Sequence, residues 1–331
     1  MGRPYGLLRA GFPFYKTLGM RRLTNFPIDI ALGKEGCLYI LCRNRDASTI
    51  RKYHIDDKDL GTVGRGLTWA VSIIADSEEN LYVSDEAVHC ILSFDKDGKE
   101  LGKWGEYGDG DGQLNGPAGI AFDAEENIYV ADSLNHRVQK FTKDGEFISK
   151  WGEFGDGEGE FNMPWGLTVD ELGDVYVADW RNDRIQKFTG DGEFIFAFGK
   201  SGSGNGELNR PTGVAVDEHG DIYVSDSGND RVQLFNSESR YVQKFLGDAT
   251  LSTVAIEYMM TNAGPNRLRD MADLEPQKYF RHPGGVAVNG DGLMFVADNG
   301  SYRVQVYQKQ AVPLTEEQFS APRRSPTLHQ E

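Results

Sequence analysis

The sequence predicts an all-β fold, a six-bladed β-propeller with four antiparallel strands per blade. Three observations carry that prediction. A Tyr-Val-Ala/Ser-Asp phrase places its carboxylate at Asp85, Asp132, Asp179 and Asp226, three successive steps of 47 residues. A fixed period of this size marks one supersecondary unit stacked many times. Within each copy, apolar residues alternate with small or polar ones over five or six positions, the period-two pattern of strands. Stretches rich in Gly, Asn and Asp punctuate the runs, as in Lys143-Asp144-Gly145-Glu146, and read as hairpin turns. Four such strands form a sheet with exposed edges, and radial arrangement about a channel protects those edges.

The elements follow in order. Copy one runs Pro27 to Leu32, Leu38 to Cys42 and Ile50 to Tyr53; copy two runs Val71 to Asp76, Leu81 to Asp85 and Cys90 to Phe94. Copy three is the clearest, with Pro117 to Asp123, Asn127 to Asp132, Asn135 to Phe141 and a fourth strand ending at Trp151-Gly152. Copy six runs Pro283 to Asn289, Met294 to Asp298 and Arg303 to Tyr307, and no fourth strand follows it. Phe14-Tyr15-Lys16-Thr17-Leu18-Gly19 has the form of that missing strand, so an N-terminal strand is expected to close the ring in blade six. Residues 1–13 are then a lead, 14–310 the propeller, and the polar, Pro-punctuated 311–331 a disordered tail.

One copy breaks the period. Asp226 and Asp298 stand 72 residues apart, and the excess forms an insertion at 246–281 between blades five and six. Its apolar spacing predicts a helix over 251–260 and a second at 266–274. The insertion joins an outer strand to an inner one, so it is expected on the face where inner strands begin, in the role of a lid.

Composition bounds the function. The 35 Lys and Arg against 51 Asp and Glu leave a net charge of −16, which repels nucleic acid and anionic membrane and favours solubility. Nucleic acid is therefore set aside as a partner. Cys37, Cys42 and Cys90 make no CxxC pair and fit buried thiols in a reducing compartment. No run approaches the roughly 18 apolar residues of a membrane span, and the N-terminus has no apolar signal core. A cytoplasmic location is the expectation.

The phrases Pro117-Ala118-Gly119-Ile120-Ala121-Phe122-Asp123, Ile128-Tyr129-Val130-Ala131-Asp132 and Asn135-His136-Arg137-Val138-Gln139-Lys140-Phe141 resemble the NHL repeat family. Matching copies cover most of residues 26 to 307, and the Gly-rich stretches 105–115 and 155–162 resemble the family's inter-blade linkers. The resemblance implies a scaffold that serves several functions rather than one chemistry. It also brings in two metal-dependent relatives: a peptide-amidating lyase domain with a His-bound zinc, and gluconolactonase-like propellers with a divalent ion held by Glu, Asp and Asn. Tripartite-motif NHL proteins imply RNA binding, which would require a basic face.

The pairs Asp132/Arg137, Asp179/Arg184, Asp226/Arg231 and Asp298/Arg303 recur blade by blade, as a structural tie does and a single catalytic centre does not. Asp109-Gly-Asp111-Gly lacks the later bidentate Glu of an EF-hand and reads as a linker. Function is expected where the copies disagree. At the Gly of the inner strand the copies read Asp29, Ser72, Gly119, Gly166, Gly213 and Gly285, and the preceding residue reads Ile28, Val71, Ala118, Trp165, Thr212 and Gly284. These positions ring one channel mouth. Candidate ligand-binding residues there are Asp29, Trp165, Trp180, Arg181, Asn135, His136, Arg210, Arg281, His282 and Tyr302, with Arg43 and Asn229 on neighbouring loops. A protein, peptide or small-molecule ligand is the expected partner. The alternative is a divalent-metal hydrolase or lyase at the same mouth, lactonase-like or peptide-amidating-lyase-like, with Ca on Asp29 plus Asn135 or Asn229, or Zn. Only His136 and His282 face the expected mouth, short of the three ligands zinc catalysis uses.

Overall fold

The structure is a computed structural model and describes residues 6–44, 47–262 and 273–315. Six four-stranded antiparallel sheets stand around one axis. Their inner strands are Pro27–Leu32, Ala70–Ala75, Pro117–Phe122, Pro164–Val169, Pro211–Val216 and Pro283–Val288. Each inner strand packs on the next, and that of blade six packs back on that of blade one. Blade six takes its outer strand from Phe14–Leu18, paired antiparallel with Arg303–Gln308. The expected ring closure is what the chain forms.

Six apolar layers, one per blade seam, fill the ring. The layer between blades six and one holds Leu18, Ile30, Ile40, Phe295 and Val304, so the closing seam is packed like the others. Tyr39, and Tyr129, Tyr176 and Tyr223 of the repeated Tyr-Val phrase, lie in these layers at no more than 1% exposure.

The repeated Asp/Arg pairs are construction. Arg137 donates from Nε to Asp132 at 2.8 Å, and its Nη groups reach the Asp109, Gly110 and Gln113 carbonyls at 2.7–2.9 Å. Arg184 and Arg231 repeat this on the 156–160 and 203–207 linkers. Arg303 holds the returning end of the insertion through the Gln277, Lys278 and Tyr279 carbonyls. Each guanidinium thus pins the linker entering its own blade by charge-assisted bonds. The Asp109-Gly-Asp111 loop has its carbonyls at 108, 109 and 110 taken by Asn135 and Arg137.

A second closure lies outside the propeller proper. Gly6–Gly11 pairs antiparallel with Gln310–Leu314, so the boundary expected at residue 311 falls inside a strand, and that strand's partner belongs to the lead expected over 1–13. Between that pair and blade five, Arg9 forms a bidentate pair with Asp221, and Lys309 bonds Asp217 and, at 2.9 Å, Asp221. Asp217 also accepts from the Tyr223 hydroxyl at 3.0 Å. A buried ammonium is stable only with such partners. Residues 316–331, most of the expected tail, lie outside the described residues.

The insertion holds a helix, Thr253–Thr261, with Ser252 as N-cap accepting from Ala255 N–H. The second expected helix falls almost wholly outside the described residues. Buried Asp57, in the outer turn of blade one, accepts from Val254 N–H and from Gly19 N–H, both at 2.8 Å. One carboxylate therefore joins the helix, the end of the closing strand and blade one. Among the described residues no helix is long and apolar enough to cross a membrane.

Candidate functional site: the channel mouth

The inner strands enclose a channel of about 1150 Å³, large enough for a small ligand or a peptide segment. Its wall is set by glycine. A Cβ on Gly119, Gly166 or Gly284 would lie 2.4 Å from a backbone carbonyl oxygen of the next blade, respectively that of Trp165, Thr212 and Ile28. Those seams close backbone to backbone. The seam between blades one and two closes differently, through side chains. Asp29 and Ser72 both replace the glycine, and Ser72 Oγ donates to Asp29 Oδ2 at 2.6 Å. The same oxygen accepts from Ile73 N–H at 3.0 Å, and Oδ1 accepts from Ile30 N–H at 2.9 Å. Asp29 is thus first an inter-blade tie.

Burial in the channel wall pushes the Asp29 carboxyl up to about 6, against the lowering effect of its three hydrogen bonds. The sign follows from linkage. The folded state holds this proton more tightly than the unfolded chain, so the protonated form stabilises the fold and the contribution is lost as pH rises from about 4 to about 6. Asp29→Asn is expected to abolish this component. The stability of the wild type relative to the variant falls by about 2 kcal/mol across that window, read as the difference between two urea-midpoint profiles. A constant difference would contradict it.

Two rings of six positions border the mouth. The residue before each inner strand reads Phe26, Trp69, Gly116, Met163, Arg210 and His282; the residue after the one paired with each inner strand's first residue reads Arg43, Glu86, Ser133, Trp180, Ser227 and Asn299. Phe26, Met163, Arg210 and His282 all hold φ between 43° and 58°, the left-handed region that costs a non-glycine residue about 1 kcal/mol or more. Gly116 occupies the same place at φ 65°, so glycine fits there and four blades keep a large side chain instead. The conformation is fixed across the seam: Met163 N–H donates to His136 Nδ1 at 3.1 Å, Arg210 N–H to Asp183 at 2.7 Å and His282 N–H to Asp230 at 2.6 Å.

Of the ten residues expected at the site, Asp29, Trp165, Trp180, Arg210 and His282 line the channel. Trp165 and Trp180 stack with centroids 5.9 Å apart, and the Arg210 guanidinium lies 5.1 Å over the Trp180 ring. The other five stand back from it. Asn135 donates its amide to Gly108 O and Asp132, both at 2.8 Å. The His136 ring accepts the Met163 N–H and packs on Phe154, and burial lowers its pKa. Arg181 lies 5.6 Å from the Trp180 ring centroid, Arg281 is exposed, and Tyr302 packs on Phe26 under Arg21. No described residue from 246 to 281 lines the channel.

Sequence reasoning missed Trp69, Glu86 and Met163, which also line the mouth. The 47-residue register pointed to all three, because they occupy the same two ring positions as Arg210 and Trp180. A calcium site on Asp29 with Asn135 or Asn229 does not assemble, since neither Asn lines the channel with Asp29 and both amides are turned to the linkers and to Asp132 or Asp226. Among the described residues no three His, Cys, Asp or Glu side chains stand together as a metal site.

The family model for the NHL repeat matches residues 114–141, 161–188, 208–235 and 280–307. No curated protein sequence matches. Among solved structures, a structural-genomics protein from Bacteroides thetaiotaomicron aligns with TM-score 0.64 and 18% identity over 92% of this chain and 76% of that one. A gluconolactonase from Xanthomonas campestris aligns at 0.62 and 14% over 92% and 100%. A catalytically inactive virginiamycin B lyase from Staphylococcus aureus, with quinupristin, aligns at 0.57 and 13% over 90% and 88%. At these identities the likeness is one of fold.

Proposed function

The chain is an NHL-repeat protein closed as a six-bladed propeller, and from that premise we propose that it is a binding module that holds a small molecule or peptide segment in the mouth of its channel. One observation carries the reading. Large side chains at Phe26, Met163, Arg210 and His282 persist in a backbone conformation that favours glycine. Three of these four, with Trp69, Trp165 and Trp180, line one cavity. Strain of this kind concentrates at ligand clamps, and buried aromatic and Arg anchors carry most binding energy at recognition sites. Solved propellers of like fold include one with quinupristin and one named a gluconolactonase, so the fold is one that can serve ligand recognition.

The test is a thermal-shift screen of a metabolite and short-peptide library against the wild type and the Trp165→Ala/Trp180→Ala variant. The expected result is at least one compound that raises the wild-type midpoint and loses about tenfold or more in affinity on the variant, an effect of about 1.4 kcal/mol or more. Binders that are indifferent to the double substitution would contradict the reading.

A further inference from the structure

The two carboxylates of the mouth, Asp29 and Glu86, and its tryptophan pair, Trp165 and Trp180, lie on opposite sides. Seam one–two carries Arg43, Trp69, Glu86, Ser72 and Asp29, while Met163, Trp165, Trp180 and Arg210 border blades four and five. In a ring of six blades those two sectors face each other across the axis.

Arg43 differs from the arginines of the repeat. Arg137, Arg184 and Arg231 each place four hydrogen bonds on a carboxylate and linker carbonyls. Arg43 stacks 4.2 Å from the Trp69 ring centroid and makes one side-chain bond, from Nη2 to Ala70 O at 2.7 Å. Its Nε is buried without a partner. Asp85, the nearest counterpart of the repeat's Asp, is occupied by the N–H groups of Thr68, Trp69 and Ala87. Glu86 and Asp85 are near enough to favour its charge, yet among the described residues no carboxylate comes within 4 Å of the Arg43 guanidinium. A half-buried cation with idle donors is costly unless something pairs with it. With Nε shut inside, the Nη1–Nη2 end of this guanidinium is what remains for a ligand, and that end can bond a planar carboxylate in two places.

Taken with the proposed binding role, on which it rests, we infer that the mouth takes an amphipathic monocarboxylate, its carboxylate on Arg43 and its flat apolar body against Trp165 and Trp180. Glu86 and Asp29 on the Arg43 side select against polyanions, because each added negative charge meets a carboxylate in the same wall. Exposed Arg210 on the far rim gives an otherwise acidic chain a local positive charge that draws a single negative charge inward.

The experiment is calorimetric titration with a matched pair of probes, 2-naphthylacetate and 2-naphthylacetamide, which share the apolar body and differ in the charge. The wild type is expected to bind the acid about tenfold more tightly than the amide, as one charge-assisted bidentate contact provides. Arg43→Gln should bring the two affinities together without weakening the amide. Glu86→Gln leaves the guanidinium in place and should raise the acid's advantage a further two- to threefold, about 0.5 kcal/mol; it remains informative if Arg43→Gln folds poorly. Trp165→Ala should weaken both probes alike. Equal wild-type affinities, or an acid preference that survives Arg43→Gln, would overturn the carboxylate inference while a loss on Trp165→Ala upholds binding at the mouth. Binding of neither probe up to about 10 mM would also overturn it, and the library screen then decides the mouth reading alone.

Discussion

Lys309→Met is expected to lower folding stability by about 3 kcal/mol. The lysine side chain is 4% exposed between Asp217 and Asp221, whose side chains are 5% and 1% exposed. Methionine keeps the volume of the stem and removes the charge, so two buried carboxylates are left with Arg9 as the remaining cation. Breaking a buried pair from one side leaves an uncompensated charge, which accounts for the size of the effect. Urea unfolding measures it, with Lys200→Met as the control: that lysine pairs with Glu207 on the surface, at 77% side-chain exposure, and should change stability by less than about 0.5 kcal/mol. Adding Asp217→Asn should recover part of the loss, because neighbouring charges are not additive. A loss below about 1 kcal/mol for Lys309→Met would mean that this clasp contributes little.

Gly166→Ala is the second large effect. Its new Cβ would lie 2.4 Å from the Thr212 carbonyl oxygen, a backbone atom of the neighbouring inner strand that cannot swing away. The two blades must separate at the axis, and overpacking of this kind costs about 3 kcal/mol. Gly213→Ala meets the next seam at 3.0 Å, from Gly284 O, so a shift of a few tenths of an ångström relieves it and about 1 kcal/mol is expected. The ranking is the informative part. If Gly213→Ala were as damaging as Gly166→Ala, close approach of the inner strands would not be what the repeated glycine provides.

The blades were legible because each strand is local. Alternation within Pro117–Phe122 or Ile128–Asp132 and a turn between them suffice, and a 47-residue step repeats the unit. The closing strand Phe14–Leu18 was legible for a related reason: copy six lacks a fourth strand and this segment has the right form. The pair Gly6–Gly11 with Gln310–Leu314 carries no such signal. Its partners lie about 300 residues apart, and the cluster that seats it joins Arg9 to Asp221 and Lys309 to Asp217 only after the ring has brought the termini together. The insertion showed its helix through apolar spacing, but its seat on Asp57 depends on a hydrogen bond between residues 197 apart.

The site was half legible. Asp29 stood out as a break in the glycine column, yet its role depends on Ser72, the break in the next copy, and the two are one feature spanning a seam. His136 and Asn135 looked like mouth residues by loop position, whereas their side chains turn into the seam and the linker. Side-chain direction after a left-handed turn, which decides both cases, is not written in a repeat register. Trp69 and Glu86 were within reach of that register, and the mouth comes into view when the two ring positions are read across all six copies rather than copy by copy.

Whether the channel mouth is where this propeller meets its ligand is decided most directly by a crystal structure of the protein with the strongest binder from the screen. Density is expected inside the channel, against Trp165 and Trp180 and within hydrogen-bond distance of Arg43. A binder seated on the outer strands or on the opposite face, with the mouth residues unmoved and uncontacted, would contradict the proposed binding role.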